Sequence, residues 1–125
     1  ACVGTTTAAL APGMMFRTDF YDAAVMDAVQ RGGIKQIVLL GAGFDTRAWR
    51  LPLPEDCTIF ELDVAKAHEL KRERIAEMKA AASPGEKLAM LQVPKCRRVE
   101  VEVDLGEAGW AEARLCGGAA APAFD

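Results

Sequence analysis

The chain has 125 residues, of which 51% are hydrophobic and 26% are charged, and its formal net charge is -3. This length allows one domain with a modest core, and the composition is that of a soluble globular protein. Basic residues are scattered among acidic ones and form no face for nucleic acid, and no apolar run approaches the roughly 20 residues that cross a bilayer. These features favour a cytoplasmic protein that binds neither nucleic acid nor membrane.

The cysteines lie far apart, at positions 2, 57, 96 and 116, and the chain has one histidine. Without a C-x-x-C pair they form no plausible zinc set, so reduced structural thiols and no metal site are predicted. The sequence starts without an initiator methionine and stops in a small-residue stretch, GGAAAPAFD. These ends suggest a fragment, in which residues 1–13 are expected to be flexible.

The first half of the chain predicts a helix followed by a buried strand. Thr18 or Asp19 is suited to cap the helix, and apolar residues over 20–29 recur at helical spacing until two glycines stop the pattern. Residues 34–40 form a short apolar run, which predicts a strand covered on both faces in a parallel sheet. Residues 45–49 then predict a short helix that two prolines terminate.

The second half predicts a strand over 58–62, a long amphipathic helix over 65–81 and a strand over 98–104. One side of the long helix is expected to carry Ala67, Leu70, Arg74, Met78 and Ala81. Its many charges are interpreted as a wet face, and His68 as a solvated side chain. In the last strand valines alternate with glutamates, so one face of that strand is expected to lie in water.

Strands and helices alternate along the chain, which is the pattern of a doubly wound, Rossmann-like α/β fold with a parallel sheet. A strand with one wet face suits a sheet edge, whereas a fully apolar strand suits a position nearer the middle. The predicted local strand order is therefore 3-2-1, and the sheet is expected to be truncated after its third strand. An isolated chain is expected to be fragile, because its first strand keeps an unpaired apolar side.

The run IVLLGAGFDTRAWRL places Gly41, Ala42 and Gly43 directly after the first strand. Glycines let the backbone approach a ligand where a Cβ would clash, and a following helix turns its free amides to the same place. Glu61 and Asp63 follow about 20 residues later, at the end of the second strand, where a carboxylate accepts hydrogen bonds from two ribose hydroxyls. This arrangement predicts a nucleoside-containing cofactor.

The residues after the second glycine distinguish between cofactors. A dinucleotide site needs a third small residue, which is missing from Gly43-Phe44-Asp45-Thr46, and an aspartate at the helix start repels a diphosphate. S-adenosylmethionine has no phosphate and carries a sulfonium cation, so it is favoured over NAD. An NAD-dependent oxidoreductase and a non-catalytic remnant or interaction module stay as alternatives.

The segment GIKQIVLLGAGFDTRAWRLPLPEDCTIFELDVAKAHELK resembles the leucine carboxyl methyltransferase family and its bacterial relatives, which are S-adenosylmethionine-dependent O-methyltransferases. The likeness lies in a Leu-Gly-Ala-Gly-x-Asp-Thr-Arg run and a Phe-Glu-x-Asp run, and it covers about residues 14–125. Two departures are the Val64-Ala65 pair, where the family usually has a proline, and the further strands that the family adds after the position of PAFD. The resemblance implies methylation of a carboxylate on a protein or a small molecule.

The resemblance also implies which residues contact the cofactor. They are Arg17 on the methionine carboxylate, Gly41, Ala42 and Gly43 along the methionine end, Asp63 on the ribose, and Asp104 with Leu105 on the adenine. An acceptor carboxylate is already ionised at neutral pH, so no general base is required and no catalytic residue is assigned.

Structural alternatives exist for several of these side chains. Arg17 is alternatively a surface charge, Asp63 a helix cap, and Asp104 the end of an edge strand. Glu61 is alternatively an acceptor for the glycine turn. The arginines at positions 47 and 50 are expected to pair with Glu61 or another carboxylate rather than with substrate.

Overall fold

The computed structural model describes residues 6–83 and 94–111. Its elements, in chain order, are helix α1 (Thr6–Gln30), strand β1 (Gln36–Leu40), helix α2 (Arg47–Arg50), strand β2 (Thr58–Asp63), helix α3 (Ala65–Ala81) and strand β3 (Arg97–Glu102). They belong to two compact units, Ala1–Ile34 and Lys35–Asp125. No helix in the described part of the chain is long and apolar enough to span a membrane.

Helix α1 begins earlier than the sequence predicts. It starts at Thr6, so neither Thr18 nor Asp19 is its cap. The Thr18 hydroxyl instead donates to the Met14 carbonyl oxygen one turn back, at 2.9 Å, which is how a threonine satisfies its side chain inside a helix. The flexibility expected for residues 1–13 stays a prediction, since residues 1–5 lie outside the described range and the backbone is helical from Thr6.

The end of α1 lies at the predicted pair of glycines. The Arg31 amide donates to the Asp27 carbonyl oxygen at 2.9 Å and closes the last turn. A Cβ on Gly32 would lie 2.6 Å from the Ala28 carbonyl oxygen, so a larger residue does not fit there. Gly33 then takes a φ of 66°, a left-handed conformation that costs glycine little. Steric demands of the backbone therefore end the helix here.

The second unit contains a parallel sheet in the order β1-β2-β3, which confirms the predicted 3-2-1 arrangement. Leu40 of β1 is level with Leu62 of β2, and Leu62 is level with Val101 of β3. One step further, Asp63 is level with Glu102. The carboxyl ends of all three strands consequently meet at one edge of the sheet, called the carboxyl edge below.

Strand β1 differs from its prediction in burial. Within the described sheet β2 is the middle strand and β1 and β3 are its edges, so the expectation that the first strand lies nearer the middle of a longer sheet stays a prediction. Val38 and Leu40 are exposed, whereas Ile37 and Leu39 are half-buried, so the strand is not covered on both faces. An apolar run shows what a strand is able to bury, but its neighbours decide what is buried.

The core of this unit is centred on Phe60 and Leu62 of β2, with Val101 and Val103 from the last strand and the loop after it. Val99, Leu105 and Trp110 pack against this cluster and are partly buried. Glu102, between two buried valines, is exposed as predicted, whereas Glu100 is half-buried, so the predicted wet face of the strand is confirmed only at Glu102. Burying each such apolar side chain contributes roughly 1.5–3 kcal/mol.

Helix α3 has the predicted bounds but presents a different side to the sheet. Leu70 and Met78, on the side of the helix that carries its predicted apolar residues, are exposed. His68 and Lys71 are buried instead, with 2% and 1% of their surfaces accessible. The His68 Nε2 lies 3.2 Å from the Val101 carbonyl oxygen on β3. The prediction that His68 is solvated and that the charged face of the helix is wholly wet is therefore wrong. His68 and Lys71 are buried because they contact polar groups of the sheet.

Two of the four cysteines, Cys57 and Cys96, are buried thiols, as predicted. Burial raises the pKa of the Cys96 thiol above its ordinary value, so this group is held in its protonated form. Cys2 and Cys116 lie outside the described residues. Among the described residues, no group of three or more metal-ligating side chains is close enough together to hold an ion.

Candidate functional site

The glycine turn after β1 is attached to the end of β2. Gly41 and Gly43 have φ values of 64° and 45°, which are unfavourable for residues with a Cβ. The amides of Gly41 and Ala42 donate to the Leu62 carbonyl oxygen at 2.9 and 3.2 Å. A Cβ built on Gly41 would meet no atom within 4 Å, so open space lies beside the turn. The turn therefore presents bare backbone at the carboxyl edge.

Asp63 lies directly against this turn. Its Oδ2 accepts a hydrogen bond from the Gly43 amide at 2.8 Å, and its Oδ1 accepts one from the Val64 amide at 2.8 Å. A carboxylate has about four acceptor positions, so each oxygen keeps one for a ligand. The sequence prediction that the turn and this acid stand on neighbouring strand ends is confirmed.

The alternative role of Asp63 as a helix cap is not supported. Val64 occupies the N-cap position of α3, and this helix start has no side-chain cap hydrogen bond. Capping would require a hydrogen bond to an amide of the first helical turn, but Asp63 accepts from the amides of Gly43 and Val64. Its carboxylate therefore organises the turn rather than the helix.

An open cleft of about 430 Å³ lies beside the ends of β2 and β3. Its apolar lining includes Val64, Ala65, Val103 and Trp110. Its acidic lining is formed by Glu102, Asp104 and Glu107, and no lysine or arginine is among the lining residues. A cleft of this size is within the range of small-ligand pockets, and its charge disfavours a phosphorylated ligand.

The remaining predicted site residues are placed differently. Asp104 lines the cleft, and its Oδ1 accepts a hydrogen bond from the Gly106 amide at 2.8 Å. Leu105 packs against the core cluster. Arg17 is an exposed residue of α1 in the first unit. The predicted adenine contact of Asp104 and Leu105 and the predicted methionine contact of Arg17 stay predictions.

The short helix after the turn begins at Arg47 rather than at Asp45. The Asp45 carboxylate accepts a hydrogen bond from the Arg47 amide at 2.8 Å and forms an ion pair with the Arg47 guanidinium. Arg50 Nε donates to the Thr46 hydroxyl at 2.9 Å. The structural role expected for Arg47 is confirmed. Because the charge of Asp45 is paired, repulsion of a phosphate at this edge comes chiefly from the cleft carboxylates.

Glu61 is the most deeply buried charge of the sheet and contacts neither the turn nor the cleft. Its Oε2 lies 2.7 Å from Lys71 Nζ and 2.6 Å from Arg98 Nη2, and none of its surface is accessible. The suggestion that Glu61 binds ribose or accepts from the glycine turn is therefore wrong. Lys71 of α3 and Arg98 of β3 both pair with this carboxylate, because a buried carboxylate without a cation would be costly.

Buried Glu61 and Lys71, together with half-buried Arg98, are called the charge anchor below. Burial lowers the pKa of Lys71, although the Glu61 carboxylate opposes this effect. Burial also acts to lower the pKa of Arg98, but Glu61 and Glu100 outweigh it and the pKa is raised. Trp49 of α2 covers both cations, with its ring 5.3 Å from Lys71 Nζ and 4.7 Å from Arg98 Cζ.

Sequence reasoning missed Lys71 and Arg98 as members of this group. One signal was available: a glutamate inside a strand of apolar residues needs a cation when the strand is covered. The sequence did not show which of its many cations would supply it, since Arg98 is 37 positions from Glu61.

Glu100 extends the charge anchor toward solvent and makes stability depend on pH. Burial acts to raise its pKa, but Arg98 and Arg72 outweigh this, so the pKa lies below its ordinary value. The stability contributed by this carboxylate is complete above the unfolded pKa of about 4.3 and is lost as the pH falls through the folded pKa. Below about pH 4.3, we expect the urea concentration at the midpoint of unfolding to fall more steeply with decreasing pH in the unmodified chain than in Glu100→Gln. Parallel curves for the two proteins would contradict this assignment.

A second cavity, of about 630 Å³, is lined by Trp49, Cys96, Arg97 and Lys79 among others. It lies at the first residues of β3 and the second half of α3, and thus away from the carboxyl edge. Ligands of open parallel sheets bind beyond the carboxyl ends of the strands. The cleft and the glycine turn are therefore the candidate site.

Comparison with known proteins identifies the family of the chain. A family profile described as leucine carboxyl methyltransferase matches residues 3–118. The chain belongs to the leucine carboxyl methyltransferase family. The resemblance of the two strand-end runs is thereby confirmed, and both runs lie at the carboxyl edge of the sheet.

Relatives within the family come from mycobacteria. A Mycobacterium ulcerans protein named "Putative S-adenosyl-L-methionine-dependent methyltransferase" is 45% identical over 92 residues, which are 74% of this chain and 25% of that protein. Proteins with the same name from Mycobacterium marinum and Mycobacterium avium are 45% and 40% identical, over 74% and 80% of this chain and 25% and 27% of their own lengths. The chain thus spans about a quarter of these relatives.

Proposed function

We propose that this chain forms the S-adenosylmethionine-binding part of an O-methyltransferase whose acceptor is a carboxylate of a protein or a small molecule. The observation that carries the proposal is the hydrogen bond from the Gly43 amide to Asp63 Oδ2 at 2.8 Å. It joins a turn without side chains to an acid that has acceptor positions to spare. In this proposal all 125 residues belong to one Rossmann-like methyltransferase domain.

The residues present fit this cofactor. Open space beside Gly41 accommodates the methionine end, and Asp63 offers acceptors for the two ribose hydroxyls. The cleft lined by Val103, Asp104 and Trp110 offers apolar surface and an acceptor for an adenine. We assign Leu105 to the adenine side and Arg17 to the methionine carboxylate from the family resemblance.

Charge supports S-adenosylmethionine over a dinucleotide. Asp63 stands at the edge, Glu102, Asp104 and Glu107 line the cleft, and the lining has no cation to receive a phosphate. The diphosphate of NAD would meet uncompensated repulsion there, whereas S-adenosylmethionine carries no phosphate and has a positive sulfonium.

The chemistry requires positioning more than proton transfer. S-adenosylmethionine, when bound, supplies a methyl group that its sulfonium activates for transfer to a nucleophilic oxygen. The glycine turn and Asp63 hold and orient the two ends of the cofactor, and the apolar walls of the cleft limit access of water. An acceptor carboxylate is already ionised at neutral pH and needs no base from this chain.

Calorimetric titration of the chain with S-adenosylhomocysteine and, separately, with NAD tests the proposal. We expect saturable binding of one S-adenosylhomocysteine per chain and no binding of NAD. Binding of NAD alone would favour the oxidoreductase alternative. Binding of neither by a folded chain would favour a remnant or an interaction module.

A further inference from the structure

The charge anchor lies immediately behind the candidate site. Glu61 precedes Asp63 by two positions on β2, so both side chains leave the same face of the strand. Lys71 belongs to α3, whose N-terminal residues Val64 and Ala65 line the cleft. The anchor therefore ties the strand that carries Asp63 to the helix that forms one wall of the cleft.

The anchor also reaches the other side of the site through Trp49. Its ring lies 5.3 Å from Lys71 Nζ and 4.7 Å from Arg98 Cζ, so buried Lys71 and half-buried Arg98 hold α2 in place. Helix α2 directly follows the glycine turn, and the pairing of Asp45 with Arg47 joins the turn to the first residue of α2. The position of Gly43 thus depends on where Trp49 rests.

Burial restricts how far the residues of the charge anchor can move. Glu61 has no accessible surface and Lys71 has 1%, so neither can exchange its partner for water. A shift of α3 would leave a buried charge unpaired, at a cost of several kcal/mol. A shift of α2 would remove the contact of the Trp49 ring with Lys71 and Arg98. The ion pair therefore fixes α3 against the sheet, and the ring contact fixes α2 against the two cations.

We propose that Glu61 is a positioning residue for the cofactor site, acting through Lys71, Arg98 and Trp49 to hold the Gly43 amide against Asp63. It touches neither ligand nor reacting atoms. The ligand part of this inference rests on the proposed function, but the Gly43–Asp63 contact exists without ligand and is measured without it.

The first test follows the Gly43 amide by NMR in the ligand-free, ¹⁵N-labelled chain. Two variants are compared: Glu61→Gln, which removes the buried negative charge, and Trp49→Leu, which leaves every charge of the anchor in place and serves if Glu61→Gln does not fold. We expect Gly43 to exchange with deuterium at least about tenfold faster in the folded variants, without a matching change in the central amides of β2. Equal acceleration of all amides, or an unchanged Gly43, would overturn the proposal.

The second test measures affinity for S-adenosylhomocysteine at a temperature well below unfolding. Glu77→Gln is the matched control, because it removes the same charge from an exposed ion pair with Arg74 on α3. We expect affinity to fall about tenfold in Trp49→Leu or Glu61→Gln and to stay unchanged in the control. Equal affinity in a folded Glu61→Gln would overturn the positioning role. Absence of binding by the unmodified chain would instead contradict the proposed function, and the Gly43 exchange result would still decide the role of Glu61.

Discussion

Replacing Asp63 with alanine is expected to abolish measurable binding of S-adenosylhomocysteine. The substitution removes the carboxylate that we propose as the acceptor for two ribose hydroxyls, and hydrogen bonds to a charged group are worth roughly 1.5–3 kcal/mol each. It also removes the acceptor that holds the Gly43 amide at 2.8 Å, so the methionine side of the site loosens as well. Calorimetric titration should show affinity reduced by about a hundredfold or more.

Two further variants serve as comparisons for Asp63→Ala. Asp63→Asn keeps one carbonyl oxygen and should bind more tightly than Asp63→Ala but more weakly than the unmodified chain. Glu73→Ala removes a carboxylate from an exposed position of α3 and should leave affinity unchanged. A folded Asp63→Ala variant that binds as well as Glu73→Ala would show that the ribose lies elsewhere.

The second large effect concerns stability. Glu61→Ala is expected to lower the free energy of unfolding by about 3–5 kcal/mol, because buried Lys71 loses its carboxylate and half-buried Arg98 keeps only Glu100 as a partner. A domain of this size is typically stable by only about 5–15 kcal/mol, so the variant should unfold at a much lower urea concentration. Urea denaturation followed by tryptophan fluorescence measures the loss.

The exposed ion pair between Glu77 and Arg74 provides the comparison. Glu77→Ala breaks this pair and should cost less than about 1 kcal/mol, because both partners are returned to water. Similar costs for Glu61→Ala and Glu77→Ala would mean that the anchor does not behave as a buried group. A double variant, Glu61→Leu with Lys71→Met, should recover part of the stability lost in Glu61→Ala, since no buried lysine is then left unpaired and Arg98 keeps its ion pair with Glu100.

Local chemistry explains which features could be predicted. Signals that act over a few residues predicted the bounds of α3, the strand at Thr58–Asp63 and the glycine turn. These signals are the spacing of apolar residues and the positions of prolines and glycines. The parallel order of the strands follows from the length of the connections between them. The proximity of the glycine turn to Asp63 follows from this strand order, because neighbouring parallel strands have their carboxyl ends at the same edge of the sheet.

Errors arose where a residue offers more than one role and a distant partner chooses between them. Thr18 has the side chain of a helix cap, yet its hydroxyl bonds to Met14 within α1. Leu70 and Met78 mark an apolar side of α3, yet that side is exposed. Periodicity counts apolar residues and cannot register a lysine that becomes buried by meeting a carboxylate.

The sequence by itself determined the succession of strands and helices, the family and the residues of the carboxyl edge, because these depend on short-range pattern and on motifs. Tertiary structure alone decided the use of the charges: Glu61 went to the interior and Asp63 to the site, although they are two positions apart on one strand. The physical reason is that a buried charge is stable only with its partner. Here the partners, Lys71 and Arg98, come from α3 and β3 and meet Glu61 only when the sheet and helix are assembled.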